Sequence, residues 1–210
     1  MEVKMKKVIF IVFCLVLLFS LASVALAKDI VFRTPDKKGG ASLYSLLEAR
    51  RSCAQKDFSA KELSNDELGQ ILWAMSGRTG EKGFAIPLAM GKPPYIKLYV
   101  LTKKQTFLYN WEKHSLTDVN SDNRLLKRSV TQDFAKTAPI IIIFVSNEQG
   151  QWKDYANMAV GAMTQNAYLV AQNMGLATRF VASINKNQIE AGLMLSPLAN
   201  IHGALLLGRQ

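Results

Sequence analysis

"TAPIIIIFV", residues 137–145, decides the fold. From Ile140 to Val145 every residue is apolar, and five of the six are β-branched. Side chains on a strand alternate between its two faces, so a run without polar interruption requires both faces to be covered. The stretch therefore predicts a central strand with helices on both sides.

The flanking sequence supplies those layers. After the strand, residues 155–174 carry helical periodicity and Gly175 is placed to stop the helix. "ATRFVAS" (177–183) then reads as a strand, Asn185 with Gln188 as a weaker helix start, and "GALLLG" (203–208) as a last strand. Upstream, "SNDELGQILWAMSG" (64–77) opens with Ser64 and Glu67 three residues apart, a capping box. Its apolar residues recur at helical spacing up to Gly77. Residues 42–50 form a shorter helical pattern, and 78–95, with three glycines and three prolines, predict an irregular loop. "IKLYVL" (96–101) and "TFLYN" (106–110) alternate at period two across a Lys-Lys turn, a hairpin pattern. Strands and helices are interspersed, which defines an α+β or α/β layered domain.

The N-terminus is read separately. Lys4, Lys6 and Lys7 precede an apolar run from Val8 to Val24, followed by Ala25-Leu26-Ala27. These are the three parts of a secretory signal peptide, predicting cleavage after Ala27, a secreted or periplasmic location, and one domain over 28–210. The run is long enough that an uncleaved membrane anchor is the alternative. Cleavage leaves Cys53 as the sole cysteine, so the exported domain is held without an internal disulfide. The net charge of +10 falls to about +8 without residues 1–27. Its basic residues are scattered in pairs without interleaved aromatics, which argues against nucleic-acid binding.

Several chemistries are excluded by counting. His114 and His202, the only histidines, lack partners at metal-ligand spacing. "DVNSDN" (118–123) begins like a calcium loop, but Asn123 and Ser129 replace the required glycine and glutamate. Cys53 beside an arginine pair reads as a small half-buried residue. No constellation for acid–base or nucleophilic catalysis is present, so an enzyme on this chain needs a cofactor to carry its chemistry.

Four segments in order supply a candidate. "LLEARRSCAQKDFSAKELSNDELGQILWAMSG", "AIPLAMGKPPYIKLYVL", "DFAKTAPIIIIFV" and "AVGAMTQNAYLVAQNMGLATRFVASIN" together resemble the nitroreductase family of flavoproteins, over nearly all of residues 40–208. The resemblance implies an α+β fold, a three-layer α/β/α sandwich around a mixed, mainly antiparallel sheet. It also implies an intertwined homodimer with FMN at each interface. Arg50 and Ser52 would contact the FMN phosphate and ribityl chain with Arg51 beside them, as a guanidinium fork suits phosphate. A solvated arginine pair is the alternative. The loop of Pro87, Leu88, Ala89 and Gly91 would reach the flavin from the second subunit. The backbone N–H groups of Ala182 and Ser183 would face the flavin N5 and O4 edge, where donors stabilise negative charge. Gln165 and Asn166 would be interface packing or helix surface.

The sequence also departs from the family pattern. Leu88 stands for a usual serine and Gly91 for a usual asparagine, and the Ser52-to-Phe58 spacing is about two residues long. The chain ends at Gln210, where relatives bring further basic residues to the phosphate, leaving Arg209 as the substitute. The resemblance implies an exported FMN-dependent oxidoreductase serving a quinone, nitro or other conjugated acceptor. The alternative is a relative that kept the fold, or flavin binding alone, without redox turnover.

Overall fold

A computed structural model describes residues 29–120 and 122–210. The expected signal peptide, residues 1–27, lies outside them. Among the described residues no helix is long and apolar enough to cross a membrane.

Seven strands form one sheet: β1 (Ile30–Val31), β2 (Lys97–Thr102), β3 (Thr106–Asn110), β4 (Ser115–Asn120), β5 (Ile140–Ser146), β6 (Ala177–Val181) and β7 (Asn200–Gly208). Their spatial order is β1-β4-β3-β2-β5-β7-β6. Among the described residues five α-helices accompany them: α1 (Leu43–Ala49), α2 (Asn65–Ser76), α3 (Leu125–Arg128), α4 (Gln151–Asn173) and α5 (Lys186–Leu193).

β5 is central, as its composition requires. Ile140, Ile142 and Phe144 enter one core with residues of α2 and α4. Ile141, Ile143 and Val145 enter a second core with residues of α3 and α5. The two cores give the three layers. A mixed, mainly antiparallel sheet was expected, and every described pairing is antiparallel. The reason lies in the crossover. β5 and β6, joined by α4, both run antiparallel to β7, which inserts between them, so no two parallel strands become neighbours.

The long helix positions the site. α4 begins at Gln151, four residues before the sequence pattern suggested, and Gly175 follows its end at φ 65°. The α2 capping box is present in both directions between Ser64 and Glu67. Where β7 bulges opposite Phe144/Val145, Gly203 takes φ 147°, and a Cβ there would overlap the Phe180 ring. That close approach seats Phe180 on the sheet beside α4.

Two half-buried histidines give the fold an acid limit. His114, at φ 47° in the β3–β4 turn, shares a 2.8 Å hydrogen bond through Nδ1 with Tyr109 Oη, and its Nε2 has no partner among the described residues. Burial lowers its pKa from the ordinary 6.5. His202 is lowered too, by burial and then by Lys153 and Lys186. A depressed pKa means the unfolded chain binds the proton more readily. The stabilisation is complete above pH 6.5 and is lost as pH falls below it through the folded values. Urea midpoints should therefore drop between about pH 7.5 and about pH 5. His114→Asn, which tolerates positive φ, should flatten that slope. An unchanged slope would remove His114 from the account.

Candidate functional site

The site is built on the free edge of β6. Along an edge strand, alternate residues turn their backbone groups outward. Thr178 O accepts the N–H of Cys53 at 2.9 Å, and the Phe180 N–H donates to Tyr168 Oη at 2.8 Å. Ala182 is the next outward position. Among the described residues nothing accepts the N–H of Ala182 or of Ser183, and both residues are exposed.

Tyr168 of α4 ties the opening arginine segment to this edge. Its hydroxyl is 3.0 Å from Ser52 Oγ, and the Arg50 guanidinium stands 5.2 Å from its ring centroid. Arg179 completes the fastening by donating from Nε to Cys53 O at 2.8 Å. Arg50 is half-buried and has no ion-pair partner among the described residues. Arg51 is used differently: its Nη1 donates to Glu48 O at 2.5 Å and Arg50 O at 2.8 Å, closing the C-terminus of α1. Thr178 and Ala182 are about 13 Å apart along the strand. Arg50, Ser52, Ala182 and Ser183 therefore lie along one edge.

A groove of about 300 Å³ opens beside them, lined by Gly161, Thr164, Gln165, Tyr168, Phe180 and His202. Thr164 Oγ1 is buried and unpartnered among the described residues. His202 is fixed at the far end, with Nε2 2.8 Å from Ser146 Oγ and Nδ1 2.7 Å from Asn157 Oδ1.

The other expected residues lie elsewhere. Arg209 is taken up by the Glu67 carboxylate at the start of α2, not placed beside Arg50. Leu88 packs against the core, Pro87 is exposed, and Ala89–Gly91 form a 3-10 turn with Met90 at φ 56° and Gly91 at φ 63°. This loop flanks the opposite side of α4. Asn166 Nδ2 anchors it by donating to Ala74 O and Ala85 O, each at 2.9 Å. Two helical positions separate Asn166 from Tyr168, a rotation of about 200°. The loop then follows α4 back to Tyr155, whose carbonyl accepts from Tyr95 Oη at 3.4 Å. Within the chain, α4 stands between Pro87–Gly91 and Arg50–Ser52.

Sequence reasoning missed Tyr168 and Arg179, and it left Asn166 as surface or interface. Nothing in their spacing marks them, because each acts on backbone groups distant in sequence. Cys53 is half-buried as expected, with its thiol pKa raised mainly by burial. Among the described residues no metal-binding cluster exists.

The fold agrees with that of related proteins. The sequence pattern of the nitroreductase family matches residues 47–209. A provisionally named nitroreductase of Methanocaldococcus jannaschii is 29% identical over 163 residues, 70% of this chain and 81% of that protein. A crystal structure from Ralstonia eutropha, also provisionally named a nitroreductase, superposes with TM-score 0.79 at 25% identity. It covers 89% of this chain and 91% of its own. A Desulfovibrio desulfuricans structure solved with FMN shares the fold at TM-score 0.57 and 18% identity, over 81% of this chain and 87% of its own. The layered fold, with its antiparallel sheet between helices, is that of nitroreductase-type proteins. The chain belongs to the nitroreductase family.

Proposed function

We propose that the protein is an FMN-dependent oxidoreductase that works as a homodimer. The observation that carries this reading is the single β6 edge holding Ser52, an Arg50 without an ion-pair partner and two N–H groups without an acceptor, all among the described residues. Arg50 would hold the phosphate, Ser52 the ribityl side, and the Ala182 and Ser183 N–H groups the N5 and O4 edge. The orphan Thr164 hydroxyl in the adjoining groove fits a further polar contact. Bound FMN would supply two-electron transfer between a reduced donor and a quinone, nitro or other conjugated acceptor. The chain's own residues orient it, present positive potential to its anionic end, and place donors where negative charge accumulates.

The dimer follows from incompleteness. Pro87–Gly91 sits across α4 from Arg50, so in one subunit the loop cannot close the same site. A second copy could bring it there. α1 has no buried residue, and its Leu43, Tyr44 and Leu47 are 59%, 83% and 45% exposed, an apolar face suited to a partner. Leu88, standing for the family's usual serine, favours a second reading, flavin binding without turnover, because the loop then lacks that hydroxyl.

Light scattering with visible absorbance on FMN-supplemented protein tests both parts at once. Twice the monomer mass with co-eluting flavin absorbance is the expected result. A monomer without flavin would overturn the proposal, and a yellow dimer inert toward quinone and nitro acceptors would select the second reading.

A further inference from the structure

Beyond the far end of the β6 edge lies a second feature that the flavin reading does not use. Lys127, Arg128 and Lys136 share an open cleft of about 570 Å³ with Thr131, Asn185 and Gln188. Among the described residues no carboxylate lines it, and neither Lys127 nor Arg128 is in an ion pair. Asp133 lies 2.8 Å from Lys136 Nζ, and the nearby Asp122 is occupied by the Arg124 fork at 2.8 and 2.9 Å. The cleft also receives the start of α5. There Asn185 Oδ1 accepts the Gln188 N–H, while the N–H groups of Lys186 and Asn187 have no acceptor among the described residues. Cations and an open helix start both favour an anion.

The cleft is fastened to the proposed flavin edge. Thr131 donates from both its N–H and its Oγ1 to Ser183 O, each at 3.2 Å, and the Asn185 N–H donates to Ser129 O at 2.8 Å. The Arg50–Ser52 segment meets β6 around Thr178 and Phe180, whereas the cleft adjoins the segment that follows it. The phosphate of FMN would thus be held at the other end.

We propose that this cleft seats the anionic group, phosphate or carboxylate, of the small molecule that exchanges electrons with the flavin, a reading that rests on the FMN assignment above. The anion anchors there while the reactive part of the molecule reaches back across Ser183. The donor and the acceptor are both open to this role, and the shared requirement is negative charge.

Titration of the Arg50→Ala chain with inorganic pyrophosphate and, separately, with succinate tests the cleft without the arginine assigned to the flavin phosphate. One saturable site per chain is expected. Replacing Lys127→Ser and Arg128→Ser together should weaken it about tenfold. Lys127→Arg with Arg128→Lys should retain it, and added salt should weaken it because the charges are exposed. Preference for pyrophosphate identifies a phosphorylated partner, and preference for succinate a carboxylated one. These side chains are on the surface, so unchanged thermal midpoints should accompany the substitutions. Binding that is equal before and after the double substitution, or absent for both anions, overturns the proposal. An anion site on a chain that takes up no FMN overturns the link to flavin while keeping the cleft, so the two failures are distinguishable.

Discussion

Arg50→Ala should raise the dissociation constant for FMN about ten- to a hundredfold, the equivalent of losing one charge-assisted contact of roughly 1.5–3 kcal/mol. Arg51 cannot take its place, because its guanidinium is already donating to the Glu48 and Arg50 carbonyls. Arg209 cannot either, since Glu67 holds it. Riboflavin lacks the phosphate, so its affinity should not change. Fluorescence titration of the apo-protein with the two ligands reads the difference. Equal losses for both would mean that Arg50 supports the fold through its stacking on Tyr168. No binding of either flavin by the unmutated chain would overturn the cofactor assignment itself.

The fold was legible wherever a residue's role depends on its near neighbours in sequence. Ile140 to Val145 announce a strand covered on both faces, and Ser64 with Glu67 announces a helix start, because both signals are local. β4 was not legible. Four of the six residues of Ser115–Asn120 are polar, and the segment becomes a strand only by pairing with β3 through five residues in register across a bulge. β1 was hidden for the same reason, with two residues extending β4 and the adjoining Phe32 packing against α2 where a Cβ on Gly69 would crowd its ring. Helix α3 is one turn long and offers no periodicity to read.

The candidate site divides along the same line. Arg50 and Ser52 were singled out because they stand together in the chain, and the structure keeps them together through Tyr168. Arg209 was assigned by position alone and is held instead by Glu67, a partner 142 residues away. Asn166, read as helix surface or interface, is a tether between α2, α4 and the loop after Ala85. Such long-range partners to backbone groups leave no periodic trace. The cationic cleft is likewise an assembly of α3, the turn at 134–137 and the start of α5, which no single segment reveals.

Phe144→Ala should be the most destabilising of these substitutions, at about 3–5 kcal/mol. Phe144 is fully buried in the middle of β5, within the core that α2 and α4 cover, and its ring lies 6.0 Å from that of Phe180. Truncation removes the apolar contacts and leaves a cavity between sheet and helix that rigid neighbours refill only in part. Phe144→Leu keeps most of the volume and should cost far less, about 1.5 kcal/mol or below. Urea unfolding at neutral pH measures both, and an unchanged slope would assign the shift to the folded state's stability. The pair also connects core to site. Phe180 lines the groove and donates its N–H to Tyr168, so movement into the cavity would loosen the contact that aligns Ser52. FMN affinity should therefore fall in Phe144→Ala and persist in Phe144→Leu. Loss of FMN binding in both would point to the aromatic contact with Phe180 and not to the cavity, and a cost below about 1 kcal/mol for Phe144→Ala would contradict the central place given to β5.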